Sequence, residues 1–450
     1  MQPLALALIW VAPGAVAAPK RYMVLGTWGH GAGAATPEFV DAAVDAGFNA
    51  VRVTANWGYM EQAPGVIDWS LLDNQTAYIH DVAKLPLVFN IWCQRYHPDA
   101  VVGASGMGED QTGAGGVNNA TWSISFANET ALASAMRFVT SVVHRYGTRY
   151  PDTLSFSVVF DGYSETEFFP GAAMLEPGSF DFSRNARAAF RAFLETKYNN
   201  SSSALSKAWG LSPPLPNFAA AQPPDNPADN GTSQHDLDWY LARELMLGKA
   251  VQRIRQTVKA VDGGHRVAVQ FGSVFDGAIR NRGLINFPCI AKGIDVVWVD
   301  DSQDYPHAFA MDYLRSNLAP GTWLANEIDA PSRGTDSQYY HQAAMSYSHG
   351  CTMLSVANWQ RDSLVNRSTL FTRIAKDFLQ APTPPAPPVE GAMNISAMSI
   401  FTAGMVPNYR PPKYGGGMVP EYQRLSRQGE LWVDVKLIRD LGHQPLCDGI

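Results

Sequence analysis

Residues 22–53, YMVLGTWGHGAGAATPEFVDAAVDAGFNAVRV, carry a strand, a helix and a second strand in that order. Tyr22-Met23-Val24-Leu25-Gly26 is a short apolar run closed by glycine, which is the pattern of a buried strand. Thr36 then offers a hydroxyl as helix N-cap, and Pro37 fits the first helical position. Asn49-Ala50-Val51-Arg52-Val53 follows as the second strand.

The same alternation continues. Leu71–Ala83 reads as a helix, Leu85–Trp92 as the third strand, Ala131–Tyr146 as a helix and Leu154–Phe160 as the fourth strand. A long excursion over Phe182–Val261 holds at least two helices and is broken by proline-rich loops between 212 and 228. Arg266–Phe271, Ile294–Val299, Thr322–Ala325 and Met353–Ala357 complete the strands, with helical patterns at Ala308–Ser316, Tyr339–Ser348 and Thr369–Leu379. Strand–helix alternation on this scale predicts a (β/α)8 TIM barrel over residues 20–380. The alternative, an open doubly wound sheet, would want a glycine-rich phosphate loop, and none occurs. Ala381–Val389, APTPPAPPV, predicts a stiff linker over 381–390. Beyond it, residues 391–450 read as a single βαβ unit: a strand at Asn394–Phe401, a helix at Glu421–Gln428 and a strand at Trp432–Ile438. One such unit is too small to bury both faces of a sheet.

Composition narrows the class. The 450 residues are 46% hydrophobic and 17% charged, which excludes a disordered chain. Asp and Glu total 41 against 34 Lys and Arg, a net charge of −7, so no nucleic-acid partner is expected. After the first twenty positions no run of 18 apolar residues occurs, so no membrane-spanning helix is expected. Residues 3–12, PLALALIWVA, followed by Ala15-Val16-Ala17, read as a secretory signal peptide over 1–17. N-x-S/T sequons begin at Asn74, Asn119, Asn128, Asn199, Asn200, Asn230, Asn366 and Asn394. Together these predict a secreted or vacuolar glycoprotein. Cys93, Cys289, Cys351 and Cys447 are too widely spaced for a zinc site; an oxidising compartment would permit one or two disulfides, with free thiols the alternative.

Chemistry in such a barrel sits where the strands end at their C-terminal side. Asp161-Gly-Tyr-Ser-Glu165-Thr-Glu167 follows strand four, and Asn326-Glu327-Ile-Asp329 ends strand seven. Two carboxylates facing each other over the mouth are the working parts of most glycosidases: one protonates the leaving oxygen, the other attacks the anomeric carbon. Arg52, ending strand two, is placed to keep a nearby carboxylate ionised. Trp359, beyond strand eight, offers a flat apolar face to a sugar ring. Trp28, His30, Trp57 and Asn90 follow or end strands one to three and are candidates for the same cup, as is Asn326 beside Glu327. Asp300, Asp301 and Asp304 follow strand six; such a run is more often a solvated loop than a cation site, so no metal and no cofactor is expected. His265 precedes a strand, at the opposite end of the barrel, and reads as structural.

Gly47-Phe-Asn-Ala-Val-Arg52, Trp57 and Glu61-Gln-Ala-Pro-Gly65-Val-Ile-Asp68-Trp69-Ser-Leu-Leu-Asp73 resemble the clan A glycoside hydrolases, and among them the family 42 β-galactosidases, whose second strand runs G-x-N-x-V-R and then E-P-x-x-G-x-x-D-F. Phe182–Tyr198 with Leu205 and Ala208-Trp209-Gly210 is similar to the segment after strand four in that family. Trp323–Glu327 resembles its nucleophile strand, and Ala343–Gly350 with Trp359 its last helix and strand. The resemblance covers about residues 21–380 and implies a retaining β-glycosidase, β-galactosidase-like, with a carbohydrate substrate. It makes Glu327 the nucleophile and places the acid/base after strand four. There the family has Asn-Glu, whereas this chain has no Asn, leaving Glu165 as first choice and Glu167 as second. Tyr422, Leu425, Gly429, Val433-Asp434-Val435 and Asp440-Leu441 resemble the start of the flavodoxin-like trimerisation domain that follows the barrel in family 42. The chain stops at Ile450 before the rest of that domain, so trimerisation is not carried over. Two alternatives stand beside this reading: a clan A β-glycosidase of other sugar specificity, and a sugar-binding barrel that has lost catalysis.

Overall fold

The fold was analysed in a computed structural model that describes residues 20–27, 34–93, 106–109, 123–160, 165–168, 181–224, 233–272, 287–301, 306–328, 334–357, 361–380, 389–396, 418–426 and 432–438. Eight parallel strands form a closed barrel: β1 (Tyr22–Gly26), β2 (Ala50–Asn56), β3 (Leu87–Trp92), β4 (Ser155–Val159), β5 (Val267–Phe271), β6 (Val296–Asp301), β7 (Trp323–Ile328) and β8 (Cys351–Ala357). Each pairs with its neighbours in chain order, and β1 closes the ring on β8 in register from Tyr22↔Met353 to Gly26↔Ala357. Closure excludes the open doubly wound sheet.

The helices are α1 (Pro37–Asp45), α2 (Ser70–Ala77), α3 (Glu129–Gly147), α4 (Arg184–Lys197), α5 (Ser202–Ala208), α6 (Gln234–Val261), α7 (His307–Asn317), α8 (Asp336–Ser348) and α9 (Ser368–Ala375). Helix α1 starts as its sequence predicts: the Thr36 side chain accepts from the Phe39 backbone N–H, and Pro37 occupies the first turn. Its buried face is Phe39, Val40 and Ala43, and burying each such large apolar side chain contributes about 1.5–3 kcal/mol. Gly47, at φ +92°, turns the chain into β2; a Cβ there would lie 2.6 Å from the Ala375 Cβ, so only glycine lets α9 pack against this turn. Helix α2 is shorter than its expected span and continues as a π-helical turn at Tyr78–Val82.

The excursion between β4 and β5 holds α4, α5 and α6. Its fastener is Asp238, fully buried on α6, which accepts from Lys197 Nζ (2.6 Å), Tyr198 OH (2.7 Å), Trp209 Nε1 (2.8 Å) and Gln234 Nε2 (2.7 Å). Three helices thus meet on one carboxylate.

The tail carries β9 (Val389–Ser396), α10 (Met418–Leu425) and β10 (Trp432–Ile438), the two strands pairing in parallel. The expected first strand lay at Asn394–Phe401; it runs five residues earlier, because β-branched Val389 opens it directly after the prolines. The edge of β10 is met by side chains of α7. Val433 N donates to Asp312 (2.7 Å), Arg315 Nη2 to Val433 O (2.9 Å), Val435 N to Ser316 Oγ (2.9 Å) and Asn317 Nδ2 to Val435 O (2.6 Å). A helix here supplies the ladder partners a third strand would otherwise provide. Tyr422 of α10 stacks on Phe309, with ring centres 4.7 Å apart.

No helix among the described residues is long and apolar enough to cross a membrane. Cys93 and Cys351 are buried free thiols, and Cys289 is disulfide-bonded. Burial pushes the Cys351 thiol up to about 12, so it is no nucleophile near neutral pH. The signal segment 1–17, Trp28, His30, Asn119, Asp161, Asn230, Asp304, Asp329, Trp359, most of the proline linker and Cys447 lie outside the described residues, as do the side chains of Asp300 and Asp301.

Candidate active site

Side chains alternate between the two faces of each barrel strand. The faces can be assigned because one set packs against the helices (Val51, Val53, Phe89, Phe156, Val269, Val297, Leu324, Leu354 and their neighbours), while a second apolar cluster fills the barrel interior. That inner cluster is Val24, Ala50, Val88, Ala268, Val296, Ala325 and Met353, with Tyr22 and Leu154 at its base. Two residues further along each strand, on the same inner face, the chemistry changes. The next layer is Gly26, Arg52, Asn90, Ser157, Gln270, Trp298, Glu327 and Ser355. The change falls toward the C-terminal ends of the strands, the end at which (β/α)8 barrels build their sites.

Within this layer Arg52 crosses from β2 to the far wall. Its Nη2 forms an ion pair with Glu327 Oε2 on β7, and its Nη1 donates to Gln270 Oε1 on β5 at 2.9 Å. The guanidinium lies 5.8 Å from the centre of the Trp298 ring on β6. Arg52 and Glu327 are 6% and 7% exposed, so the pair is desolvated and each charge depends on the other. Gly26 makes the crossing possible: a Cβ there would sit 3.1 Å from Arg52 Nη2 and 3.0 Å from the Val356 carbonyl oxygen. Asn90 Oδ1, Ser157 Oγ, Gln270 Nε2, Trp298 Nε1 and Ser355 Oγ are buried and have no hydrogen-bond partner among the described residues. Buried polar atoms are nearly always partnered, so this layer has hydrogen-bonding capacity left to meet water or a ligand.

The segment after β4 returns to the sheet at residues 165–167. Phe160 N donates to the Glu165 carbonyl (2.8 Å), and Thr166 N donates to the Gln270 carbonyl. Gln270 N donates to Thr166 Oγ1 (3.2 Å), and Thr166 Oγ1 donates to the Val158 carbonyl (2.5 Å). Glu165 and Glu167 are both buried. Glu167 Oε2 accepts from Gly272 N at 2.8 Å, so this carboxylate fastens the segment to the end of β5. A connected path therefore runs Glu327–Arg52–Gln270–Thr166, from strand seven to the residue between the two candidate acids.

Two candidates fall away from the cup. Trp57 is fully buried in the layer between barrel and helices, stacked on Phe138 at 6.3 Å, with its indole N–H on Glu61. Glu61 also accepts from Gly65 N (2.7 Å), so the Trp57, Glu61 and Gly65 pattern fixes the turn after β2. Asn326 shares a strand with Glu327 but faces the opposite side, as alternation demands. Its Nδ2 meets His307 Nδ1 at 3.0 Å and Ser346 Oγ at 2.9 Å in the helix layer. Its role is to seat β7 against α7 and α8. Asn90 does face the cup. His265 stands at the start of β5, paired with Asp262 Oδ2 at 2.6 Å, consistent with a structural role.

Sequence reasoning missed Gln270, Ser157, Ser355, Trp298 and Gly26. The signal was present for Gln270 and Ser355, which lie two residues after inward Ala268 and Met353, as in Val267-Ala-Val-Gln-Phe271; on β4 the inward position before Ser157 is itself polar, Ser155.

The molecule is a (β/α)8-barrel protein with a polar cup at the C-terminal mouth of the barrel. No protein-family model matches the chain, and no curated protein matches it in sequence. Among solved structures it is similar to the β-galactosidase of the psychrophilic Marinomonas ef1, with TM-score 0.68 and 17% identity over 92% of this chain and 70% of that one. It is similar to a catalytic mutant of a GH42 β-galactosidase from G. stearothermophilus, with TM-score 0.69 and 13% identity over 93% of this chain and 67% of that one. The catalytic domain of β-amylase from Paenibacillus polymyxa matches with TM-score 0.63 and 16% identity, over 82% of this chain and 100% of that one. The chain spans between 65% and 70% of the length of the β-galactosidases it matches. At these identities the likeness establishes the fold alone: the barrel shared with these glycoside hydrolase structures.

Proposed function

We propose that this chain is a retaining β-glycosidase, with β-galactosides the first substrates to try. The observation that carries the reading is the buried Arg52–Glu327 pair set in a ring of inward polar side chains. Glu327 is the nucleophile: its carboxylate attacks the anomeric carbon while Glu165 gives a proton to the departing oxygen. The glycosyl ester so formed is then cleaved by a water that Glu165 deprotonates, which returns both groups to their starting states. Glu165 is preferred to Glu167 because it comes first after strand four, in a Ser-Glu pair. Likeness in fold to β-galactosidases supports the substrate class, and the β-amylase match is a reason to test other glycosides too.

A panel of nitrophenyl β-glycosides tests it. Wild type should turn over at least one member with retention of anomeric configuration by NMR. Glu327→Gln should lose about a thousandfold or more, and Glu165→Gln should lose much more on poor leaving groups than on good ones. If Glu167→Gln shows that leaving-group pattern instead, the two acids exchange roles. No turnover by a folded wild type would favour the sugar-binding alternative, which the missing Asn after strand four favours. The reading also includes export. The disulfide at Cys289 and the exposed sequon residues Asn74, Asn199, Asn200, Asn366 and Asn394 support it. A mobility shift on endoglycosidase treatment of the protein made in a eukaryotic secretory host checks it.

A further inference from the structure

We infer that Gln270 is a specificity-determining residue that touches the substrate, its side-chain amide donating a hydrogen bond to a neutral sugar hydroxyl beside Glu327. This rests on the glycosidase reading and adds to it a contact that no resemblance assigns.

Gln270 is the inward residue of β5: Val269 and Phe271 pack outward against the helices, and Ala268 belongs to the barrel interior. It is 1% exposed. Its backbone is fixed on both sides, pairing with Trp298 of β6 in register and with Thr166 through N and O. The orientation of the amide, usually ambiguous, is decided by its neighbour. A guanidinium has donors only, so the atom facing Arg52 Nη1 at 2.9 Å must be the carbonyl Oε1. The NH2 group is thereby turned away from Arg52, buried, and without an acceptor among the described residues. A buried amide donor left unpaired is unfavourable, so the site is complete only when an acceptor arrives.

Charge limits what that acceptor is. Gln270 and Glu327 sit on the two terminal nitrogens of one guanidinium and are therefore close neighbours. Both Nη atoms of Arg52 are already engaged. A carboxylate or phosphate arriving at Gln270 would face Glu327, whose negative charge already balances the single positive charge of Arg52. A hydroxyl accepts from the Gln270 NH2 and donates its own proton to a carboxylate or to the acceptors Ser355 and Asn90 in the same layer. The group recognised is thus a sugar hydroxyl.

Calorimetric binding of a neutral, hydrolysis-resistant thioglycoside and its singly deoxygenated analogues reads this directly and does not depend on turnover. Wild type should bind one deoxy analogue about ten- to a hundredfold more weakly than the parent. Gln270→Glu keeps the acceptor toward Arg52 and removes the donor, at the cost of a second negative charge beside Glu327; it should lose that one preference, to within about threefold, with weaker binding of the whole panel. Gln270→Met removes both groups and should lose the same preference, with weaker binding of the whole panel as Arg52 loses an anchor. Circular dichroism of each variant shows which are folded, and either one suffices. Retention of every hydroxyl preference in a folded variant overturns the inference while leaving the glycosidase reading intact. Failure of folded wild type to bind any member overturns both.

Discussion

Asp312 on α7 and Glu327 on β7 are both buried carboxylates, and their surroundings differ. Asp312 accepts four hydrogen bonds, all from the protein: His349 Nδ1 (3.0 Å) and Arg315 Nη2 (3.2 Å) on one oxygen, Tyr422 OH (2.9 Å) and Val433 N (2.7 Å) on the other. That fills the acceptor capacity of a carboxylate. Burial first, then Asp312, pushes the Tyr422 phenol far above its ordinary range, so it remains a neutral donor. Glu327 instead shares a layer with Asn90, Ser157, Gln270 and Ser355, each holding a buried polar atom that no group among the described residues meets. A saturated buried carboxylate is a fastener, here of tail to barrel. One set among donors and acceptors unmet by the described residues is, on the proposed reading, where a substrate would sit.

Substitution should separate the two. Glu327→Gln is expected to cost about a thousandfold or more in turnover with the circular dichroism spectrum unchanged. Asp312→Ala is expected to do the reverse. It strands His349, Arg315, Tyr422 and the Val433 N–H, and removing one partner of such a buried charged network costs about 3–5 kcal/mol. Turnover per folded molecule should stay within a few-fold at temperatures below the melt. The comparison breaks if Asp312→Ala abolishes turnover at unchanged stability, because the tail would then act on the cup.

Gly26→Ala probes the boundary between fastening and binding. The added methyl would approach both the Val356 carbonyl and Arg52 Nη2, so β1 and the guanidinium must part. Overpacking of this kind costs about 1–3 kcal/mol. Displacement of Arg52 by a fraction of an ångström should lower kcat/KM by about ten- to a hundredfold. Both are read from one purified variant, by chemical denaturation and by steady-state kinetics. A loss of stability with full activity would show that Arg52 does not set the position of Glu327.

Much of the barrel was legible because each strand is an apolar run ended by glycine, proline or a polar loop, and caps such as Thr36 mark helix starts. Glu327 and Arg52 were legible as charged residues at strand ends. What stayed hidden was the direction of side chains. In strands buried on both faces the two sides are nearly equally apolar, so nothing in Trp323-Leu-Ala-Asn-Glu-Ile328 says that Glu327 faces in and Asn326 out. Trp57 was misplaced for the same reason: a tryptophan after a strand reads as a sugar platform until its indole is seen against Phe138. The docking of the tail lay beyond sequence reading altogether, since a strand edge paired with the polar face of a helix leaves no periodic signature.

Asp73 sharpens the comparison at its weak end, as a carboxylate that is fastened but wet. On α2 it accepts from Arg145 Nε (2.9 Å) and Nη2, and from Tyr146 OH (2.9 Å), with Arg149 Nη1 3.7 Å away. The Arg145 hydrogen bond outweighs partial burial and holds the Asp73 carboxyl below its ordinary range. A carboxyl whose folded value lies under its unfolded value stabilises the fold fully above the unfolded value, about 4, and loses that contribution as pH falls through the folded one. The Asp73 and Arg145 side chains are 25% and 39% exposed, so water screens the pair and its contribution should stay below about 1 kcal/mol. Melting curves of wild type and Asp73→Asn from about pH 6 to about pH 2 should show a small gap that closes below about pH 4. A gap that widens toward acid would mean that the carboxyl is destabilising when charged, and that Arg145 is held by its stacking on Trp69, 5.0 Å from the ring centre, rather than by Asp73.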